Sequence, residues 1–224
     1  GNDPLKAYGK TTDLTAMGGA QYVHTFDKCF FMPSDLTAGL EYNRDRLKDN
    51  MWGYDRHTDQ TVNIYSAFLQ NEWKNDRWGI LIGGRLDKHN MVDNVIFSPR
   101  ANLRFNPTQN INLRLSYSSG FRAPQAFDED MHIENVGGTV AMIERAKNLK
   151  EEKSQSFSAS ADMYHRFGVF QTNFLIEGFY TRLTDVFVLG EPYDRGDGIL
   201  VKTRSNGPGA KVMGLTLEGK VAYL

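Results

Sequence analysis

The stretch Ile111–His132, INLRLSYSSGFRAPQAFDEDMH, decides the fold. Its first half alternates strictly: Ile111, Leu113, Leu115 and Tyr117 hold one parity, Asn112, Arg114, Ser116 and Ser118 the other. Successive side chains of an extended chain leave on opposite sides. This half therefore predicts a strand with one apolar and one wet face. Gly120 and Pro124 end the pattern, and an acidic run, Asp128, Glu129 and Asp130, follows. Either protein core or lipid must cover Leu113 and Leu115.

The same period extends in both directions. Upstream, Leu14 to Phe26, Leu36 to Asn43, Thr61 to Phe68, Trp78 to Leu86 and Arg100 to Asn106 alternate. Downstream, Ser156 to Met163, Phe170 to Tyr180 and Met213 to Tyr223 do so, for about nine strands by period-2 reading. Val62, Ile64 and Phe68 read as one face of their strand. Lys28–Ser34, Asn71–Asp76, Asn106–Gln109 and Phe167–Val169 read as turns. Residues 44–59, dense in charge, read as a solvated loop tipped by Trp52 and Tyr54. Phe121–Glu152 reads as the longest irregular stretch, with a short helix over its TVAMIERAKNLKEEK segment, and Glu191–Gly198 as a loop.

Composition removes several function classes. Lys plus Arg number 26 and Asp plus Glu 27, a formal net charge of -1, which lacks the basic excess of a nucleic-acid binder. A single cysteine, Cys29, excludes an internal disulfide or a cysteine zinc cage. Aromatic residues make up 12% of the chain, a strand-rich composition. No uncharged apolar run reaches the ~18 residues of a spanning helix, but barrel strands cross lipid by alternating instead. Gly1-Asn2-Asp3-Pro4 has no apolar signal region, and the text reads as an excerpt of a longer chain.

Connections alternate between short and long. The polar faces carry Arg100, Arg104, Arg114, Glu177, Glu218 and Lys220. Trp73, Trp78, Phe105, Phe167 and Phe170 sit near the short turns, and Tyr42, Tyr117, Phe121 and Tyr180 near the long loops. Short turns on one side, long loops on the other and aromatic flanks predict an all-β, antiparallel up-and-down meander, part of a transmembrane β-barrel. The alternative on pattern alone is an antiparallel sandwich, which also alternates.

Ser116–His132 (SYSSGFRAPQAFDEDMH) resembles the barrel of TonB-dependent outer-membrane receptors, where a strand ends in a Gly-Phe-Arg-Ala-Pro run at an extracellular loop. Ser98–Arg114, Glu151–Ser160, FYTRLTDVFVL and VMGLTLEGK resemble adjoining strands of that family. The resemblance implies that residues 1–224 are a partial barrel without the plug domain and terminal strands. It implies a receptor for active uptake of a scarce nutrient such as a ferric siderophore, haem or cobalamin. It places that receptor in the outer membrane of a Gram-negative bacterium, with outer-membrane lipid around it. Its partners would be the metal-chelate or vitamin ligand and the TonB energy-transducing complex, acting through the absent plug. An isolated segment of this kind is expected to self-associate through strand edges. The alternative function is a non-catalytic sandwich or barrel binding module, a glycan binder or adhesin at a cell surface.

No enzymatic role, cofactor or metal site is expected. The five histidines stand alone, without His-x-x-x-His spacing, and no Gly-x-Ser-x-Gly elbow occurs. A barrel enzyme would need a Ser-His-Asp or paired-acid site at the loop end. Asp128, Glu129 and His132 could serve acid–base work or bind a cation, but no nucleophile or oxyanion donors accompany them. They read instead as a solvated loop whose acids pair Arg122 or cap a turn. Arg122, Asp128, Glu129 and His132 are thus candidates for extracellular-loop contacts to a ligand. The inward arginines read as lining a lumen or pairing with acids across strands.

Overall fold

The computed structural model describes residues 9–51, 56–123, 134–136, 139–145, 149–194, 196 and 200–224. Nine strands form one antiparallel meander: β1 (Gly9–Cys29), β2 (Met32–Met51), β3 (Arg56–Lys74), β4 (Trp78–His89), β5 (Ile96–Thr108), β6 (Ile111–Arg122), β9 (Glu152–Phe167), β10 (Phe170–Thr184) and β14 (Ala210–Tyr223). A smaller sheet grows from the two longest connections. It orders β11 (Phe187–Leu189), β13 (Leu200–Asn206), β8 (Thr139–Arg145) and β7 (Glu134–Val136), with β12 (Tyr193–Asp194) beside β13. Strands β8 and β13 run parallel, joining one connection to the other.

Turns of two or three residues close one rim: Phe30–Phe31, Asn75–Arg77, Gln109–Asn110 and Gly168–Val169. Three of them show a local cause. Asn75 Oδ1 accepts from the backbone N–H groups of Arg77 and Trp78 at 2.9 and 2.7 Å. Gly168 takes φ +59°, a conformation that glycine adopts without steric cost. Pro33, which has no N–H to give, sits where the β1–β2 ladder shifts register.

Burial is inverted relative to a water-soluble sheet. Ile82, Leu115 and Leu217 are 56%, 55% and 62% exposed, whereas Asp49, Asp87 and His89 are 1%, 3% and 0% exposed. The register joins the exposed apolar parities into one continuous face, as in the row Ile80, Leu103, Leu115, Ala159, Gly178 and Leu215. No second sheet covers that face among the described residues, so the sandwich alternative fails. An apolar outer face over a polar inner wall is the barrel arrangement.

Aromatic rings mark both edges of the apolar band. Phe31 stacks on Trp73 at 5.7 Å and Trp78 on Phe105 at 4.3 Å near the short turns. Towards the other rim, Tyr42 meets Tyr65 at 4.8 Å and Tyr117 meets Phe157 at 4.9 Å. These edges cross the ladder obliquely. Tyr117 is level with Leu36 through Ala101, Ile82 and Asn71, six residues from Tyr42 over four strand steps. At about 3.3 Å per residue and 4.8 Å per step, that is a strand tilt of about 45°. The other edge agrees: Gly178 is level with Trp73, eight residues from Phe170 over five steps. Closed barrels need a tilt of this size.

Several expectations are corrected. Residues 44–51 and 56–59 are ladder, not loop, and Arg44↔Asn63 through Asp49↔Thr58 pair in register. Trp52 and Tyr54 lie outside the described residues. Strand β3 is apolar on both faces, and its register decides between them: Val62, at 4% exposure, points inward and Tyr65 and Leu69 outward. The expected helix is replaced by β8, held by its partner β13. Tyr193–Asp194 within the expected loop is a strand, and Asn71–Lys74 belongs to β3. Asn106–Thr108 likewise belongs to β5, the turn being Gln109–Asn110.

Candidate functional site

The loop-side rim begins where β6 ends. Phe121 continues the outward parity, so Arg122 falls on the inner face, opposite Glu152 of β9. Its guanidinium carbon lies 5.7 Å from the centre of the Phe187 ring, within cation–π range. Glu152 Oε1 in turn accepts the Phe187 N–H at 3.4 Å. Arg122 thus helps fasten β11 of the smaller sheet to the top of β6 and β9. Asp128, Glu129 and His132 lie outside the described residues.

One asparagine clamps the two long connections together. Asn206 Oδ1 accepts the Lys150 N–H at 2.6 Å, and its Nδ2 donates to the carbonyls of Lys150 and Asp185 at 3.0 and 2.8 Å. A side-chain amide can satisfy three backbone groups in this way, and no apolar residue can replace it. Asn206→Ala should therefore cost about 1–3 kcal/mol of local stability. Amide hydrogen exchange at Lys150 should accelerate while the Leu115 strand stays protected; unchanged exchange at Lys150 would refute the clamp.

Below this rim the inner wall carries a polar network that the sequence reading did not assemble. Arg85 Nη2 donates to Glu41 Oε2 at 2.8 Å and Arg85 Nε to Asp87 Oδ1 at 3.0 Å. Ser66 donates to the same Asp87 oxygen at 2.5 Å. Arg85 and Asp87 share a parity on β4, and Glu41 and Ser66 reach them from β2 and β3. The signal was present as Arg85 and Asp87 at i and i+2 on one parity of a strand whose other parity is apolar from Trp78 to Leu86. The inward arginines of β5 and β6 bond amides and carbonyls instead of cross-strand acids. Arg104 reaches Asn106 and the carbonyls of Asn75 and Trp78, and Arg114 donates to Asn112 Oδ1 at 3.2 Å. Such a wall hydrogen-bonds water or a polar insert; among the described residues no group of three or more His, Cys, Asp or Glu could hold a metal ion.

Comparisons with known proteins agree with this architecture. A family model described as "TonB dependent receptor-like, beta-barrel" matches residues 2–224. No curated protein sequence matches the chain. Among solved structures, the siderophore receptor PirA from Pseudomonas aeruginosa superposes with a TM-score of 0.73 at 17% identity. The match covers 94% of this chain and 39% of PirA. The ferric enterobactin receptor PfeA of the same organism, solved with enterobactin, gives 0.71 at 20% identity, over 96% of this chain and 34% of PfeA. The Serratia marcescens hemophore receptor HasR, in complex with HasA and heme, gives 0.73 at 13% identity, over 96% of this chain and 40% of HasR. The chain spans about two fifths or less of each. At these identities the superpositions show a shared fold, and the family model supplies the relationship: the chain belongs to the TonB-dependent receptor-like β-barrel family.

Proposed function

We propose that this chain is a barrel segment of an outer-membrane receptor for active uptake of a scarce nutrient, in a Gram-negative bacterium. The carrying observation is the exposed apolar face around a buried polar wall, in a chain whose family and fold are those of TonB-dependent receptors. A ferric siderophore, haem or cobalamin is the ligand class, siderophore and haem being what the superposed receptors bind by name. Energy would come from the TonB complex acting on a plug domain carried elsewhere in the protein. The long connections would form the outer mouth, and Arg122, with Asp128, Glu129 and His132 on the connection that follows it, would meet the ligand there. In this reading the protein is a transporter and performs no covalent chemistry.

The test is transport by the bacterium that makes the protein. Deleting its gene should abolish accumulation of at least one radiolabelled ferric siderophore, haem or cobalamin, and TonB loss should give the same defect. Arg122→Ala in the complemented strain should weaken binding of that ligand. Unchanged accumulation of all three classes after deletion would overturn the receptor reading.

A further inference from the structure

Three inward arginines of the wall are held in the same way. On β5, Asn102 accepts from Arg100 Nη2 at 3.3 Å while its amide nitrogen donates to the Ala101 carbonyl at 2.9 Å. Arg104 donates to Asn106 Oδ1, and on β6 Arg114 Nε donates to Asn112 Oδ1 at 3.2 Å. Each pair lies two residues apart on one parity, as Arg-x-Asn twice on β5 and Asn-x-Arg on β6. An amide oxygen orients a guanidinium without neutralising it. Arg85 differs, because Glu41 and Asp87 meet its charge within the wall. Among the described residues no acid bonds Arg100, Arg104 or Arg114. Arg104 and Arg114 also face each other in register. Like charges so placed repel unless an anion joins them.

These charges form a series down the inner wall. Arg122 stands at the rim, Arg100 is level with Ser118, and Arg114 follows four residues further along β6. Successive levels are about 13 Å apart along the strand. Beside them Ser116, Ser118 and Gly120 of β6 meet Ser158, Ser156 and Ser154 of β9. These short side chains leave the wall open, and their hydroxyls donate to oxygen acceptors. Glu177, the acid in the Arg114 row, lies beyond Ser160, two strands away. We propose that Arg100 and then Arg114, with Arg104, pass a multiply anionic, oxygen-rich metal chelate from the mouth toward the short-turn rim. Repeated cationic levels hold an anion well enough to admit it and loosely enough to release it to the next. The guanidinium fork matches carboxylate-like pairs of oxygens. A fixed acid on the plug would meet one level and leave the others uncompensated. An uncharged ligand such as cobalamin gains nothing from the series.

This inference rests on the receptor reading above and narrows its ligand to an anionic chelate. The experiment expresses the full-length receptor in a TonB-competent host that lacks its own receptors for three radiolabelled probes. Ferric enterobactin and ferric citrate are the anions, and cyanocobalamin is the uncharged ligand. Wild type should accumulate at least one of the anions and no cyanocobalamin. Arg100→Gln with Arg114→Gln should slow accumulation of that anion roughly tenfold while cells without an energy supply still bind it. Arg100→Lys with Arg114→Lys should keep most of the rate. An unchanged rate in the double glutamine variant would overturn the proposal. So would a loss of binding equal to the loss of rate, which would make these residues part of the mouth. A slowed rate accompanied by new vancomycin sensitivity would also overturn it, because that would mark a loosened plug. Accumulation of cyanocobalamin, or of neither anion, would overturn this proposal only; the receptor reading falls instead on unchanged uptake of every ligand class after deletion of the gene.

Discussion

Leu115→Arg should destabilise the folded barrel in a bilayer by about 2–4 kcal/mol, while Ser116→Arg, one residue on, should change it by less than about 1 kcal/mol. The two positions share a strand, a level in the sheet and a backbone environment. They differ only in face. Leu115 sits outward between Leu103 and Ala159, and Ser116 inward between Asn102 and Ser158.

The contrast is diagnostic because exposure alone predicts the opposite. Leu115 is 55% exposed. On a sheet bathed in water, replacing so exposed a leucine by arginine would fall within about 0.5 kcal/mol of neutral. Only if the exposed face is solvated by hydrocarbon does the guanidinium carry a desolvation cost of several kcal/mol. Guanidinium unfolding of both variants of the full-length receptor, folded into phospholipid vesicles, would measure the difference. Equal effects at the two positions would refute the lipid-facing assignment and return Leu113 and Leu115 to an ordinary water-exposed sheet.

The alternation that places Leu115 outward was legible because it is local: each strand declares its own two faces. The aromatic edges and short turns were legible for the same reason. Residues 44–51 and 56–59 pass for a loop when charge density is averaged over both faces. Taken by parity, Arg44, Arg46 and Lys48 separate from Asp45 and Asp49, and the segment becomes a strand with a cationic outer edge. In strand β3 local alternation no longer separates the faces. Val62, Ile64, Tyr65, Phe68 and Leu69 are apolar on both parities, and only pairing with β2 and β4 decides which side meets lipid.

At the rim the missing information was non-local. Arg122 could be recognised as the last residue of a strand before a break. Its ring partner Phe187 and the clamp residue Asn206 belong to a later connection, and Asn206 meets Lys150 across 56 residues of chain. Strand β8 exists because β13 pairs with it in parallel, so a helical spacing in its own sequence decided nothing. Tertiary pairing overrides local propensity in such segments.

Gly39→Val should cost about 1–3 kcal/mol, and that cost should largely disappear when Phe68 is replaced by alanine beforehand. Gly39 faces inward on β2, in register with Phe68 of β3. A Cβ built there would lie 2.2 Å from Cζ and 2.4 Å from Cε1 of the Phe68 ring. The ring lies across the glycine, filling the space that a side chain would take, a device that lends packing to a residue with none of its own. It recurs at Gly214, where a Cβ would meet the Phe179 ring at 2.4 Å. Valine at residue 39 must expel the ring from the inner wall. Once the ring is gone, valine occupies its volume and the two changes couple. Gly18, on the outward face of β1, supplies the control: nothing lies within 4 Å of its Cβ position, so Gly18→Ala should be nearly neutral. A double-mutant cycle on denaturant midpoints in vesicles would decide the matter. Additive costs for Gly39→Val and Phe68→Ala would show that the ring does not depend on the glycine.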